Sequence, residues 1–581
     1  MTVKNLTAAL DPEYRIRSLE SLSRDEFDFV VVGGGVTGAG TALDAASRGF
    51  TVALIEMRDW AAGTSSRSGK LIHGGLRYLE QLQFGLVRES LRERRLILEK
   101  LSPHLATPIQ FIYPFKHRFW ERPYVGAGLI LYDFMGGAGA VPRHRHISKR
   151  GISKLSSAVD PELVTGGLTF YDGQMDDARH TLELVRTAAA HGVTVISGAK
   201  VMKLDRIGSV SKLEVADLQS NGERFMVKAR HVINATGVWA GDLDELAGGK
   251  PTFNVTASKG VHILIPRAKI ESEISLFLRA EDSVLFVRTW GRHWLIGTTD
   301  TPWDGNREHP TATAEDLDYL LRNLNSVLRT KLTRADIDGV FAGLRPLVAG
   351  KANTTSKLSR EHAVETTAEG FTTIVGGKYT TYRIMAKDAI DTALKSMGNM
   401  TTETRTAEIP TLGGADYHTR KREIKARGAE LGLSKPQVVH LLGRYGSLTP
   451  ELYALILRNP DLSKPVKNGA GHLRVEIVYA ASNEGALHVE DTLTRRTHIS
   501  ILRKDRGTEC VVEVVDLMAQ VLGWSDSDKS DQVARYCQRV AAEIDADAVA
   551  SDPEALALRE RVLDPRVAMA RTLEHTIQES S

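Results

Sequence analysis

Short apolar runs alternate with stripes of helical period along much of the chain, and the alternation predicts an α/β fold. Phe29-Val-Val-Val32 is a continuous, largely β-branched run, the pattern of a strand buried on both faces. Thr51-Val-Ala-Leu-Ile55 repeats it. Leu86–Leu101 sets apolar residues at helical spacing among Arg and Glu, which predicts an amphipathic helix. Asp177–Gly192 reads as a helix stopped by its glycine, with a strand, Val193–Ile196, behind it. His231-Val-Ile233 is a further strand running into the small-residue turn Asn234-Ala-Thr-Gly237. Between Thr252 and Arg345 the pattern shifts to short strands parted by turn residues, namely Val261–Ile265, Ser283–Arg288 and His293–Gly297, as in an antiparallel sheet. Phe371–Val375, followed by Gly376-Gly377-Lys378 and a helix, returns to the first style. From about Arg405 onward helices dominate, as in a separate helical domain.

The first strand runs into Gly33-Gly-Gly35-Val-Thr-Gly38. Gly33 permits a tight turn, Gly35 lets the backbone approach a pyrophosphate, and Gly38 lets the next helix pack close to its strand. The helix N-terminus then offers unpaired N–H groups and a partial positive charge to phosphates. Glu56 ends the second strand, where its carboxylate can accept hydrogen bonds from a ribose hydroxyl. Strand, turn, helix, strand and acid in this order predict a dinucleotide site. They leave open whether it takes NAD or FAD.

Composition narrows the class. A chain of 581 residues is too long for one core and predicts two or three domains. A formal charge of +3 is too small to argue for nucleic acid, and two cysteines, Cys510 and Cys537, suit free thiols in a reducing compartment. The charged N-terminus lacks the apolar core of a signal peptide. No uncharged apolar run reaches the length of a membrane span. Tyr124–Val141 comes closest, an apolar segment broken by Asp133. It lies between Lys116, Arg118 and Arg122 on one side and Arg143, Arg145, Lys149 and Arg150 on the other. Either a bilayer interface or a buried helix with solvated ends fits that pattern.

Gly63-Thr-Ser-Ser-Arg-Ser-Gly-Lys70 is crowded with hydroxyls and glycines, suiting a loop around phosphates or a ring edge, and it follows the Glu56 strand directly. Lys70-Leu-Ile-His-Gly-Gly-Leu-Arg-Tyr-Leu79 continues it. Met175-Asp-Asp-Ala-Arg179, Asn234–Gly237, Lys259-Gly-Val-His262, Ile296-Gly-Thr-Thr-Asp300, Gly343-Leu-Arg-Pro346 and Gly376-Gly-Lys-Tyr-Thr-Thr-Tyr-Arg383 follow in order, with Glu490-Asp-Thr-Leu-Thr-Arg-Arg-Thr497 in the helical part. Together these motifs resemble the FAD-dependent, aerobic glycerol-3-phosphate dehydrogenase family over nearly the whole chain. Gly69 departs from a frequent serine and Tyr379 from a frequent leucine.

The resemblance implies a Rossmann-like FAD domain of the glutathione-reductase and D-amino-acid-oxidase kind, with an antiparallel β substrate domain and a helical C-terminal domain. The expected division places FAD binding at residues 25–110, 166–250 and 343–398, an insertion at 111–165, the substrate sheet at 251–342 and the helical domain at 405–570. Gly33, Gly35, Gly38, Glu56, Thr64, Ser65, Ser66, His73, Gly74, Gly237, Gly377, Lys378, Thr380 and Thr381 are expected around FAD, and no metal is expected. Oxidation of sn-glycerol 3-phosphate at C2 needs a phosphate partner, which Arg345 supplies as a planar cation. Arg77 and Tyr78 hold substrate over the ring, and Lys378 serves flavin or phosphate. His262 is the candidate base, with a pKa expected near neutrality. Asp176, Asp177 and Arg179 read as a local ion-pair network, and Thr298, Thr299 and Asp300 as wall residues. The family further implies a peripheral enzyme on the cytoplasmic face of the membrane, a homodimer, and a membrane quinone as acceptor. Leu129 and Leu131 of the Tyr124–Val141 segment are then the expected membrane-facing residues. A glycerol-phosphate oxidase using oxygen, and a flavin-binding protein without turnover, are the alternatives.

Overall fold

The computed structural model describes residues 8–80, 82–117, 120–136, 141–251, 253–280, 284–348, 361–398 and 402–580. The apolar runs form a parallel sheet in the order Phe371–Gly376, Glu223–Asn234, Glu26–Val32, Val52–Glu56, Thr194–Ser197. Because a strand turns alternate residues to opposite faces, Phe29, Val31, Leu54 and Ile233 pack one way. They meet Leu43 of the Val36–Ser47 helix, Val185 of the Asp177–Ala190 helix and Ile390 of the Tyr382–Ser396 helix. Val30, Ala53, Ile55 and Val232 pack the other way, against Leu22 of the Pro12–Arg24 helix and Val201 and Val215 of an antiparallel pair. Burial on both faces is why these strands read as continuous hydrophobic runs.

Near one end of the second sheet Val255–Pro266 pairs antiparallel with His293–Gly297 and with Gly339–Val348. Val284–Trp290 and Ser275–Arg279 extend it. Ala106–Phe115 and Gly166–Met175 complete it, joined through a parallel pairing with Ser275–Arg279. Strand partnership therefore moves the expected boundaries. Residues 106–115, 166–175 and 339–348 belong to this sheet, so the substrate layer begins well before residue 251 and takes the start of the expected last FAD segment. Their partners lie far away in sequence, which local pattern cannot show. One face of the sheet, including Val261, Ile263, Leu285, Val287 and Ile296, is sealed by Leu317, Leu320, Leu321 and Leu324 of the Ala314–Asn325 helix.

The chain beyond Thr406 is helical, with its own core around Leu441, Leu452, Tyr479 and Val514. It is bolted to the cofactor layer by buried charges. Arg179 donates to Glu484 at 2.7 Å, His498 meets Asp176 at 2.9 Å, and Arg496 grips Asp59 at 2.7 and 2.8 Å. The expected local network of Asp176 and Arg179 is thus an inter-domain one.

Glu121–Gly136 is a helix. Leu129 and Tyr132 are buried against Val87 and Leu91, while Tyr124, Ile130, Leu131 and Phe134 are exposed. This corrects the expectation for Leu129: it faces the core, one position away in register from the exposed stripe. Among the described residues no helix is long and apolar enough to cross a membrane.

Candidate active site

A cavity of about 660 Å3 runs between the C-terminal ends of the parallel strands and the open face of the antiparallel sheet. That position, beyond the carboxyl ends of parallel strands, is where such sheets take ligands. Gly33 sits at φ +114°, and a Cβ there would lie 2.6 Å from the Ala235 carbonyl oxygen. At Gly38 a Cβ would lie 1.8 Å from the Gly33 carbonyl oxygen, so the helix can start this close to the turn only without a side chain. Ser65 Oγ accepts the Val36 N–H at 2.9 Å, tying the hydroxyl-rich loop to that helix N-terminus. Glu56 accepts from Gly34 N–H at 2.6 Å and Arg58 N–H at 2.8 Å, which fixes its carboxylate on the cavity wall. A glycine cradle, an anchored acid and a long cavity fit an extended dinucleotide.

Gly33, Gly35, Glu56, Thr64, Ser65, His73, Gly237, Gly377, Lys378 and Thr380 line the cavity, with Tyr78, His262 and Arg345. Gly38, Ser66, Gly74 and Thr381 do not. Gly38 acts by packing alone. The Ser66 carbonyl accepts Lys70 Nζ at 3.1 Å. Gly74 turns its N–H to Tyr132 Oη at 2.9 Å, and a Cβ there would meet Leu91 at 2.3 Å. Thr381 donates its hydroxyl to the Lys378 carbonyl at 3.3 Å. Arg77 opens the short helix Arg77–Glu80, and its side chain lies outside the described residues.

The opposite wall is set by strand alternation. His262 projects from the cavity face of Val255–Pro266 and pairs in register with Gly297 and Phe341. A Cβ on Gly297 would lie 2.1 Å from His262 Cδ2, so the imidazole occupies the space that this glycine leaves. Its ring stacks on Phe341 at 4.8 Å between centroids. Nδ1 is buried with no hydrogen-bond partner among the described residues, leaving Nε2 as the nitrogen that reaches the cavity. Burial holds His262 well below the ordinary histidine range, and Arg345, Arg288 and Lys70 push the same way. The expectation of a base poised near neutrality is therefore corrected: in the free protein this imidazole is neutral and weakly basic.

Arg345 donates to Thr298 Oγ1 and the Thr299 carbonyl at 3.0 Å, and to Asp300 at 3.3 Å. The expected wall residues thus serve to hold Arg345. Lys378 Nζ lies 3.9 Å above the Tyr78 ring and donates to Ser90 Oγ at 3.2 Å. Lys70 is paired with Asp177 at 2.5 Å, and Asp177 also accepts from Ser68 Oγ at 2.6 Å. Arg345 and Lys378 thus line a chamber whose wall carboxylates Asp300 and Asp172 already have partners, Arg345 and Arg94.

Sequence reading missed part of the wall. Arg288 lines the cavity, and its only local signal is an arginine at an alternating position of an apolar strand. Met57, Arg58 and Lys200–Met202 line the end beyond Glu56, together with Val567, Ala570 and Arg571 of the Pro565–Ser580 helix. No local pattern announces that the last helix closes this end.

The fold and site define an FAD-dependent oxidoreductase: residues 28–383 match the family described as FAD dependent oxidoreductase. Residues 404–529 match the C-terminal domain of alpha-glycerophosphate oxidase. The chain is 49% identical over 553 residues to glycerol-3-phosphate dehydrogenase 2 of Mycobacterium tuberculosis, covering 95% of this chain and 94% of that one. It is 32% identical over 543 residues to the human mitochondrial glycerol-3-phosphate dehydrogenase, covering 90% and 74%. The solved structure of the glycerol-3-phosphate dehydrogenase from Bacillus halodurans complexed with FAD superposes with a TM-score of 0.74 at 25% identity, over 91% of this chain and 98% of that chain. The chain belongs to the FAD-dependent glycerol-3-phosphate dehydrogenase family, and FAD is its cofactor.

Proposed function

We propose that this chain oxidises sn-glycerol 3-phosphate to dihydroxyacetone phosphate and delivers the electrons to a membrane quinone. The observation that carries the reading is one chamber, continuous with the glycine cradle, that gathers His262, Arg345, Lys378 and Tyr78. FAD, held by the glycine cradle and Glu56, would supply the two-electron acceptor for the hydride lost from C2. Arg345, held by Asp300 and Thr298, meets the phosphate as an already oriented cation. Lys378 and Tyr78, in contact with one another, would hold the substrate from the chamber wall.

The C2 hydroxyl proton goes to His262 Nε2. A weak base is adequate, because the hydroxyl oxygen becomes strongly acidic as the hydride on its carbon leaves. The substrate phosphate also brings negative charge among Arg345, Arg288 and Lys70, which add to the effect of burial in holding His262 low. Binding therefore strengthens the base when it is needed.

The Glu121–Gly136 helix supports delivery to a membrane-bound acceptor. Its exposed apolar stripe sits between exposed Lys116 and Arg122 on one side and Arg143, Arg145, Lys149 and Arg150 on the other. We place the protein at the cytoplasmic face of the membrane on that ground.

Anaerobic mixing of the FAD-loaded protein with glycerol 3-phosphate should bleach the visible flavin absorbance, and a quinone analogue should restore it. A flavin that stays oxidised would refute the dehydrogenase reading. Peroxide release on turnover with no gain from quinone would turn the reading to an oxidase.

A further inference from the structure

Val284–Trp290 alternates so that Leu285 and Val287 enter the core under the Ala314–Asn325 helix, while Phe286 and Arg288 face the cavity. Phe286 stands opposite Gly297, which stands opposite His262. Arg288 is thus two residues along the strand from the His262 row and on the same face. Its side chain is 1% exposed. Nη1 donates to Gln174 Oε1 at 2.8 Å, and the guanidinium lies 5.3 Å from the centre of the Trp290 ring. Nη2 has no hydrogen-bond partner, and no carboxylate lies within ion-pair distance of the group, among the described residues.

A buried cation without a counter-ion is expensive, and the surroundings do not remove the cost. Burial brings Arg288 down to about 9, with Asp177 and Asp176 opposing that shift from a distance. Both acids are engaged elsewhere, Asp177 with Lys70 and Ser68, Asp176 with His498. Arg288 nonetheless stays charged at neutral pH. The contrast with Arg345 is instructive. The Arg345 charge already faces Asp300, whereas the Arg288 charge lies buried in the chamber wall with no ion-pair partner among the described residues.

We infer that Arg288 is a second phosphate-binding residue, donating from Nη2 to a substrate phosphate oxygen while Nη1 stays on Gln174. The inference rests on the reading of the chamber as a glycerol-phosphate site. It assigns Arg288 to selection of the phosphorylated alcohol, since the phosphate supplies the counter-charge that the fold withholds. Free glycerol offers none.

The test compares wild type, Arg288→Met and Arg288→Lys as FAD-loaded proteins. Half-saturation for anaerobic bleaching by glycerol 3-phosphate should rise roughly ten- to a hundredfold in Arg288→Met, the range for a lost hydrogen bond to a charged group. Half-saturation for glycerol should show no such rise. Inorganic phosphate should compete with substrate in wild type and lose potency in Arg288→Met by a similar factor. Arg288→Lys keeps the charge without the fork and should fall between. An Arg288→Met protein that holds FAD and keeps wild-type half-saturation and phosphate competition would overturn the inference. If Arg288→Met does not fold, wild-type phosphate competition in Arg288→Lys would overturn it equally. Absence of bleaching in wild type sinks the parent reading instead; inorganic phosphate titrated against the flavin absorbance of wild type and variants still reads Arg288.

Discussion

Replacing Phe134 and Ile130 by alanine tests the proposed lipid contact of the Glu121–Gly136 helix without disturbing the core. Phe134 is 83% exposed and Ile130 is 60% exposed, so neither holds the fold together. Removing a side chain of this size from water is worth about 1.5–3 kcal/mol when exposure is complete. Scaled by exposure, Phe134 contributes about 2 kcal/mol and Ile130 about 1.3 kcal/mol to membrane transfer. At about 1.4 kcal/mol per tenfold, the single variants should lose roughly thirtyfold and tenfold in partition, and the pair roughly three hundredfold.

Sedimentation with vesicles of mixed neutral and anionic phospholipid measures this, with bound flavin reporting the protein in each fraction. Each exposed Lys or Arg near an anionic surface adds about 1 kcal/mol at moderate salt. Added salt should therefore weaken wild type and variants in parallel and leave their ratio unchanged. Leu129→Ala provides the contrast. That side chain is buried with Leu91 and Tyr132, so its loss should cost the fold about 2–5 kcal/mol and leave the partition of folded protein alone. A Phe134→Ala, Ile130→Ala protein that partitions like wild type would refute the assignment of this helix.

Two further outcomes follow from the geometry. Gly38→Ala puts a Cβ 1.8 Å from the Gly33 carbonyl oxygen, forcing the helix N-terminus away from the cradle. FAD affinity, read by flavin fluorescence, should fall at least about tenfold, since overpacking of this kind costs about 1–3 kcal/mol or more, and an unchanged affinity would refute the cradle. Stability should also fall in mild acid. Burial holds His180, His231 and His472 at about 4 in the fold, against an unfolded value near 6.5. The unfolded chain then binds more protons between those values, so stability is present above pH 6.5 and is lost as pH falls. From pH 7 to 5.5 each costs about 1.2 kcal/mol, while Asp547, raised to about 6, returns under about 1 kcal/mol over that span. A denaturation midpoint unchanged across this range would contradict the buried neutral histidines.

Legibility followed distance along the chain. The strand, glycine turn, helix and Glu56 are neighbours in sequence, and the constraints that reveal them, φ at Gly33 and backbone contact at Gly38, are local too. His262 and Arg345 were found because each sits in a short motif, yet their electrostatics were not. The imidazole is weakly basic first because it is buried, and then because Arg345, Arg288 and Lys70 arrive beside it from other strands and another loop. Ser66, Gly74 and Thr381 share motifs with cavity residues but point elsewhere, because one loop serves both the wall and its own support.

The end of the cavity beyond Glu56 carries that argument furthest. It is closed by Val567, Ala570 and Arg571, from a helix that reads as part of a separate domain. Arg566 of that helix lies buried between Asp491 and Asp564, with contacts of 2.8 and 2.9 Å. Asp491 also holds Arg495 at 2.5 Å, and Arg495 reaches Asp59, just past the Glu56 strand. A continuous chain of buried charge therefore runs from the closing helix back to Asp59, three residues past Glu56. Breaking a buried pair in such a chain costs about 3–5 kcal/mol, so the helical domain cannot loosen without loosening that end of the FAD site.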